Sequence, residues 1–487
     1  MSDRFDLVVL GGGAAGLLAS LTAARVGARV ALVEAREQPG GDCLFTGCVP
    51  SKSLIASANL AHALRTADRL GLEPSEPEID FARVMARVKE VIGEAGHPDT
   101  ADHLASRGVR AIRGRGQFLG PGVLAVGDLR LGYRAAIIAT GAVPLIPDIA
   151  GLDQARPLTS ETVFELRELP RRLAVLGGGA VGVELGQAFA RLGSTVAILE
   201  ATERLLPTED AEAARLLEQT LRGEGIALHL GARVSRVEPE AGGSGALVLE
   251  TGARVAYDRI LVAVGRRPSV ERLGLENVGV EADARGAVRV DATLKTSGER
   301  IYAAGDVIAG PMFTHVAGYH GLLAAGNALF RTRRTVDHSH VPRVVFSDPE
   351  FAAVGMTEQQ ATERLGRAPL VFRHDYAESD RALTAGKARG LAKLVADGRG
   401  RLLGATIFAP AAGESIAEVT RLVSEGKKVA VLSQMMHAYP TFSEGPARAA
   451  DEWWTFRYLN PRGRRLLHPL LRLLRSAEPR RRATRRT

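Results

Sequence analysis

Phe5-Asp6-Leu7-Val8-Val9-Leu10-Gly11-Gly12-Gly13-Ala14-Ala15-Gly16 starts the chain with a short apolar strand, a glycine-rich turn and the first turn of an Ala/Leu-rich helix. Gly27 and a second strand closing on Glu34 complete the unit. This order predicts a nucleotide-binding βαβ fold. Gly11 permits the tight turn, Gly13 lets backbone amides approach a pyrophosphate, and Gly16 lets the helix pack on the strand. The helix N-terminus favours phosphate charge, and Glu34 is placed to accept a ribose hydroxyl.

Such a motif is weak evidence when it stands alone, but here the whole unit recurs. Leu173-Ala174-Val175-Leu176 leads into Gly177-Gly178-Gly179-Ala180-Val181-Gly182, then Gly193 and a strand ending at Glu200. Gly11, Gly13, Gly16, Gly27 and Glu34 are matched by Gly177, Gly179, Gly182, Gly193 and Glu200, about 166 residues on in every case. Two nucleotide folds in one chain imply electrons passing between two bound nucleotides.

The two cysteines of the chain fall in Gly40-Gly41-Asp42-Cys43-Leu44-Phe45-Thr46-Gly47-Cys48-Val49-Pro50-Ser51-Lys52. Cys43 and Cys48 have only each other as thiol partners, across a loop short enough for an intramolecular disulfide. A purely structural staple is disfavoured, since a chain of this size buries enough surface to fold without one and no secretory leader is expected. A zinc half-site lacks the further Cys or His ligands it needs. The pair therefore reads as redox-active.

Two nucleotide folds with this cysteine spacing after the first resemble the pyridine nucleotide-disulfide oxidoreductases, over residues 1 to about 460. The resemblance implies FAD at the first site, NAD(P)H at the second, and electrons running from nicotinamide through flavin to the cysteines. It implies that Cys43 is the exposed thiol that meets substrate and Cys48 the thiolate beside the flavin. Pro50 in the first turn of a helix from about Ser51 agrees, because helix-end charge favours a thiolate at Cys48. By the same resemblance Lys52 is a flavin-ring partner and Glu184 the acid paired with it. Thr140-Gly141 closes the first FAD segment, and Gly305-Asp306 supplies the aspartate for the ribityl chain. Glu200 would repel a 2′-phosphate, so NADH is expected over NADPH.

One departure from the family pattern concerns acid-base chemistry. Thiol reductases of the family carry His-Pro with a Glu five residues after the His; this chain has Tyr439-Pro440-Thr441-Phe442-Ser443-Glu444. Tyr titrates near 10, far from neutrality, so the usual base is missing although the acid, Glu444, is kept. His437 would share the face of Tyr439 only if the segment is extended. Tyr at this position, with Met312-Phe313-Thr314-His315-Val316-Ala317-Gly318-Tyr319-His320, resembles mercuric reductases. No cysteine follows Cys48, however, so the C-terminal thiol relay of those enzymes is absent, and no N-terminal metal-binding module is expected either. Three functions follow. The first is a reductase working through the Cys43–Cys48 disulfide on a disulfide or soft-metal acceptor. The second is a diaphorase or oxidase passing electrons from flavin to quinone or oxygen. The third is a non-catalytic redox-responsive binding protein.

The 487 residues, 46% hydrophobic and 24% charged, suit a soluble α/β protein of about three domains. An FAD-binding domain is expected from 1–149 and 266–336, with a Rossmann-like NAD(P)-binding domain at 150–265 that exits through the turn at Gly265. The resemblance implies that an α+β domain at 337–460 is the dimerisation domain, giving a homodimer, and a basic tail is expected at 461–487. The net charge of +8 lies in that tail, which from Arg462 to Thr487 carries ten arginines and one glutamate. Specific nucleic-acid binding is not expected. Peripheral membrane contact through the tail and a disordered solvated tail are both left open, with Pro469 expected to break or kink any helix there. Trp453-Trp454 is assigned to the subunit interface, and reducing cytoplasm is the default location.

Overall fold

The computed structural model describes residues 4–240 and 243–476. The chain divides into two compact units, residues 1–339 with 345–347, and residues 340–344 with 348–487.

The first unit holds both nucleotide folds. Its larger sheet runs in the order Val109–Arg113, Val30–Glu34, Arg4–Leu10, Leu129–Ile138, Val123–Val126 and Gly116–Gly120, with Ile301–Ala303 added against Leu129–Ile138. Its central pairings are parallel, Leu7 facing Val30 on one side and Ala135 on the other. This explains why Leu7, Val8 and Val9 form a continuous apolar run: a parallel strand is covered on both faces, and none of the three is exposed. Ile301–Ala303 reaches this sheet from far along the chain, so the residues that follow it, Gly305 and Asp306, arrive beside the first glycine loop.

The second sheet is also parallel, in the order Ala227–Leu230, Thr195–Glu200, Arg172–Leu176 and Arg259–Val262. A two-stranded ribbon, Ala142–Pro144 against Arg266–Pro268, lies at the chain's passage out of and back into the first fold. Helix Ala14–Arg25 packs on helix Thr314–Phe330. The approach is close: a side chain at Gly321 would overlap the carbonyl of Ala15.

The second unit carries the antiparallel strands Glu350–Gly355, Leu402–Ala409, Leu391–Ala396 and Leu370–Asp375 side by side. Helices Ala412–Ser424 and Glu444–Tyr458 pack on it. Trp453 packs against this unit's own core, its ring 6.0 Å from that of Phe372, and stays part-exposed.

The tail departs from expectation. Pro461–Ser476 is one helix that continues through Pro469. A proline removes one backbone hydrogen bond, and neighbouring turns on both sides keep theirs. Residues 477–487 lie outside the described residues.

Candidate active site

The two glycine loops have the same construction. Gly11 and Gly177 adopt φ of +101° and +108°, and a side chain at either would strike the carbonyl of Ala139 or Ala263 across the sheet. A Cβ at Gly16 would overlap the carbonyl oxygen of Gly11, and one at Gly182 that of Gly177. Each strand-end acid braces its own loop. Glu34 accepts from the amides of Gly12 at 2.6 Å and Arg36 at 2.8 Å, and Glu200 from those of Gly178 at 2.7 Å and Thr202 at 2.8 Å. These bonds leave each carboxylate further acceptor capacity for a ribose hydroxyl.

Helices Ala14–Arg25 and Ala180–Arg191 start directly after Gly13 and Gly179, so their free amides face the loops. A Cβ at Gly179 would meet nothing within 4 Å, which leaves room for a ligand against the backbone. Gly177, Gly179, Glu200, Gly265, Arg266 and Met312 help to line a cleft of about 770 Å³. Gly265, at φ +138°, accepts from the Leu145 amide as the chain leaves this fold. Arg233, which sequence reading passed over, lines the same cleft as Glu200.

At the first site, the Thr140 hydroxyl donates to Ser269 O at 2.6 Å, and the Ser269 amide donates to Gly141 O at 2.9 Å. Gly305 (φ +78°) sits where a side chain would press on Ala15 and Ala317, and Asp306 follows it. Burial raises the Asp306 carboxyl above the usual range, opposed by Arg266, whose Nε lies 3.9 Å away. Arg266 also pairs with Asp42. Its Nε is buried with no hydrogen-bond acceptor, a donor that a polar ligand would engage.

The cysteines lie where these elements converge. Cys43 is in the short helix Gly41–Phe45, and Cys48 is the first residue of helix Cys48–Arg65, three residues ahead of the expected start. Both are free thiols and hydrogen-bond one another. The bond from Cys43 is the largest influence lowering Cys48, to about 5, with Thr314 and Lys52 lowering it further against burial. Cys43, holding the proton, is pushed up by the same bond and by burial. The helix N-terminus acts in the same direction on Cys48. Cys48 Sγ lies 3.3 Å from Thr314 Oγ1, a contact that sequence reading missed although it singled out the segment containing Thr314. In the chain by itself Cys43 is half-buried and Cys48 reaches the surface.

Lys52 and Glu184, 132 positions apart, meet at 2.8 Å. Glu184 is buried and also accepts from the Phe346 amide at 2.9 Å, and Lys52 Nζ lies 4.2 Å from the Phe346 ring centroid.

In the second unit Tyr439 and Glu444 each bond to another residue. Tyr439 donates to Asp380, which raises its phenol further from neutrality, while Glu444 takes Arg448 at 2.6 Å. His437 is occupied through both ring nitrogens, by Glu418 at 3.0 Å and Met435 O at 3.1 Å. These bonds hold the ring in place.

Residues 5–321 match the pyridine nucleotide-disulphide oxidoreductase family, and residues 341–450 match its dimerisation domain. The chain belongs to the pyridine nucleotide-disulphide oxidoreductases. A mercuric reductase of Streptomyces lividans is 38% identical over 458 residues, covering 92% of this chain and 96% of that protein. A dihydrolipoyl dehydrogenase of Thermus scotoductus is 38% identical, covering 92% and 97%. Among solved structures, the Cu(II) complex of the HOCl-induced flavoprotein disulfide reductase RclA of Escherichia coli superposes with a TM-score of 0.83 at 31% identity, covering 92% and 99%.

As a member of this family the protein is an α/β flavoenzyme that uses FAD and NAD(P)H, and its dimerisation domain supports a homodimer. The residues fit those groups: two glycine loops at helix N-termini, the second open at Gly179, braced acids, and a buried Arg266 Nε with no hydrogen-bond acceptor. No helix among the described residues is long and apolar enough to cross a membrane.

Proposed function

We propose that this oxidoreductase passes electrons from NADH to the Cys43–Cys48 pair, and that the dithiol reduces a soft metal ion directly. FAD supplies the two-electron relay between nicotinamide and sulfur. Gly11, Gly13 and Gly16 with Glu34, Thr140, Gly141 and Asp306 would hold it, and Gly177, Gly179, Gly182, Glu200 and Gly265 would hold the nicotinamide cofactor. Lys52, one turn past Cys48 on the same helix, presents an ammonium group paired with Glu184.

The observation that carries this reading is the Cys48 thiolate, held near 5 beside a protonated Cys43, while Tyr439 and Glu444 are each bound elsewhere. Disulfide substrates need a positioned acid to protonate the leaving thiolate, a contribution of about 10²- to 10⁴-fold. A soft metal needs only thiolates. On oxidation the S–S bond forms, the proton leaves Cys43, and two electrons reduce one Hg(II) to the metal or two Cu(II) to Cu(I). The Cu(II) complex reported for RclA is support for a metal acceptor from a structurally similar protein. Glu200 supports NADH, and a reducing cytoplasm suits a working dithiol.

The test is NADH oxidation with Cu(II), Hg(II), lipoamide, glutathione disulfide and quinones, on the wild type and Cys43→Ser. Metal-dependent turnover that vanishes in Cys43→Ser supports the proposal. Lipoamide or glutathione as the fastest acceptor, or quinone turnover that persists in Cys43→Ser, overturns it.

A further inference from the structure

The helix Pro461–Ser476 lies beyond both family matches, the second of which ends at residue 450. At about 100° per residue, Leu473, Leu470, Leu474, Leu467 and Leu471 fall within an arc of about 160°. All five are exposed, from 37% at Leu467 to 66% at Leu473. Arg475, His468, Arg472 and Arg465 follow one another around the other side, and no Asp or Glu occurs in the helix. The helix before it ends with Phe456 and Tyr458, and Leu459 follows, each nearly half exposed.

Leucine on one side and arginine on the other is the distribution of a helix lying in a lipid interface. Exposed aromatic rings beside it suit the headgroup level. The sign of the charge selects the partner. The arginines of Arg462–Thr487 account for the whole positive excess of the chain, leaving the catalytic part close to neutral. A cationic leucine helix at the end of a near-neutral enzyme complements an anionic lipid surface. A purely electrostatic partner such as nucleic acid would leave the leucine arc in water.

We propose that Pro461–Ser476 seats the enzyme peripherally on anionic membranes, leucines in the acyl boundary and arginines among the headgroups. This is independent of which acceptor the cysteines reduce.

The test is flotation of FAD-loaded, full-length protein on vesicles of phosphatidylcholine, with and without phosphatidylglycerol. Binding to the anionic vesicles should exceed binding to the neutral ones by about tenfold or more, and should fall as salt rises. Leu470→Glu with Leu474→Glu should reduce it by about tenfold, as should Arg472→Gln with Arg475→Gln. NADH turnover with a soluble acceptor serves as the folding control for both variants. Equal binding to both vesicle types, no binding, or full binding by the leucine variant would each overturn the proposal. So would a leucine variant that light scattering shows to have lost its dimer, since a second copy would then be what covers the face.

Discussion

Lys52 Nζ sits 2.8 Å from Glu184 Oε2, joining the helix that begins at Cys48 to the helix that follows the second glycine loop. Removing the ammonium leaves a buried carboxylate with only the Phe346 amide. Lys52→Met is expected to cost about 1–3 kcal/mol of stability, less than breaking a fully buried pair because Lys52 is one-third exposed. Flavin reduction by NADH in stopped flow should slow by about tenfold. Unchanged rates would show the pair to be structural only.

The Cys48 thiolate gives a pH signature. With Cys48 near 5, alkylation of the reduced enzyme by iodoacetamide should stay at its plateau at neutral pH and fall to half at about pH 5. Cys43→Ala deletes the bond that contributes most, so the half-point should rise by about one unit or more, with a smaller rise in Thr314→Val. A half-point near 8 in the wild type would contradict the geometry.

His320 is expected to make stability pH-dependent. It is 1% exposed, its Nδ1 accepts from the Gly305 amide, and its Nε2 is 2.7 Å from His338 Nε2, so its ring is neutral with the proton on Nε2. Burial depresses it to about 4 from an ordinary 6.5. Above 6.5 neither folded nor unfolded state is protonated there. As pH falls below 6.5 the unfolded state binds the proton first and stability is lost, about 2 kcal/mol by pH 5. Denaturant midpoints at pH 7 and 5 measure it, and His320→Gln should flatten that part of the slope.

The duplicated loops can be separated by substitution. A methyl at residue 16 would overlap the Gly11 carbonyl, and one at 182 that of Gly177. Gly16→Ala is expected to lower bound FAD several-fold, read from the flavin absorbance of purified protein. Gly182→Ala should keep its FAD and raise KM for NADH by about tenfold. The reverse pattern would exchange the two assignments.

Each strand-end acid can be tested likewise. Glu200→Ser keeps a small polar group but removes the carboxylate that holds the Gly178 and Thr202 amides. The ratio of kcat/KM for NADH over NADPH should fall by about tenfold, helped by Arg233 in the same cleft. An unaltered ratio would place cofactor choice elsewhere.

The features legible in the sequence were those with local causes. A left-handed turn, a backbone packed against backbone and a carboxylate at a strand end each demand one residue type at one spacing, so Gly11, Gly16 and Glu34 and their counterparts Gly177, Gly182 and Glu200 are readable without coordinates. The cysteine spacing is of the same kind. Lys52 with Glu184 was legible only through family resemblance, since nothing local links positions 132 apart.

What only the folded chain decided is which distant side chains meet. Thr314 reaches Cys48 from 266 positions away because two helices converge, and Arg266 reaches Asp42 because Arg266–Pro268 pairs with Ala142–Pro144. Tyr439 takes Asp380 and Glu444 takes Arg448, although five residues separate Tyr439 from Glu444 and suggest that they act together. Pro469 remains inside a helix. In each case the outcome depends on the balance of all the surrounding contacts, which no short stretch of residues encodes.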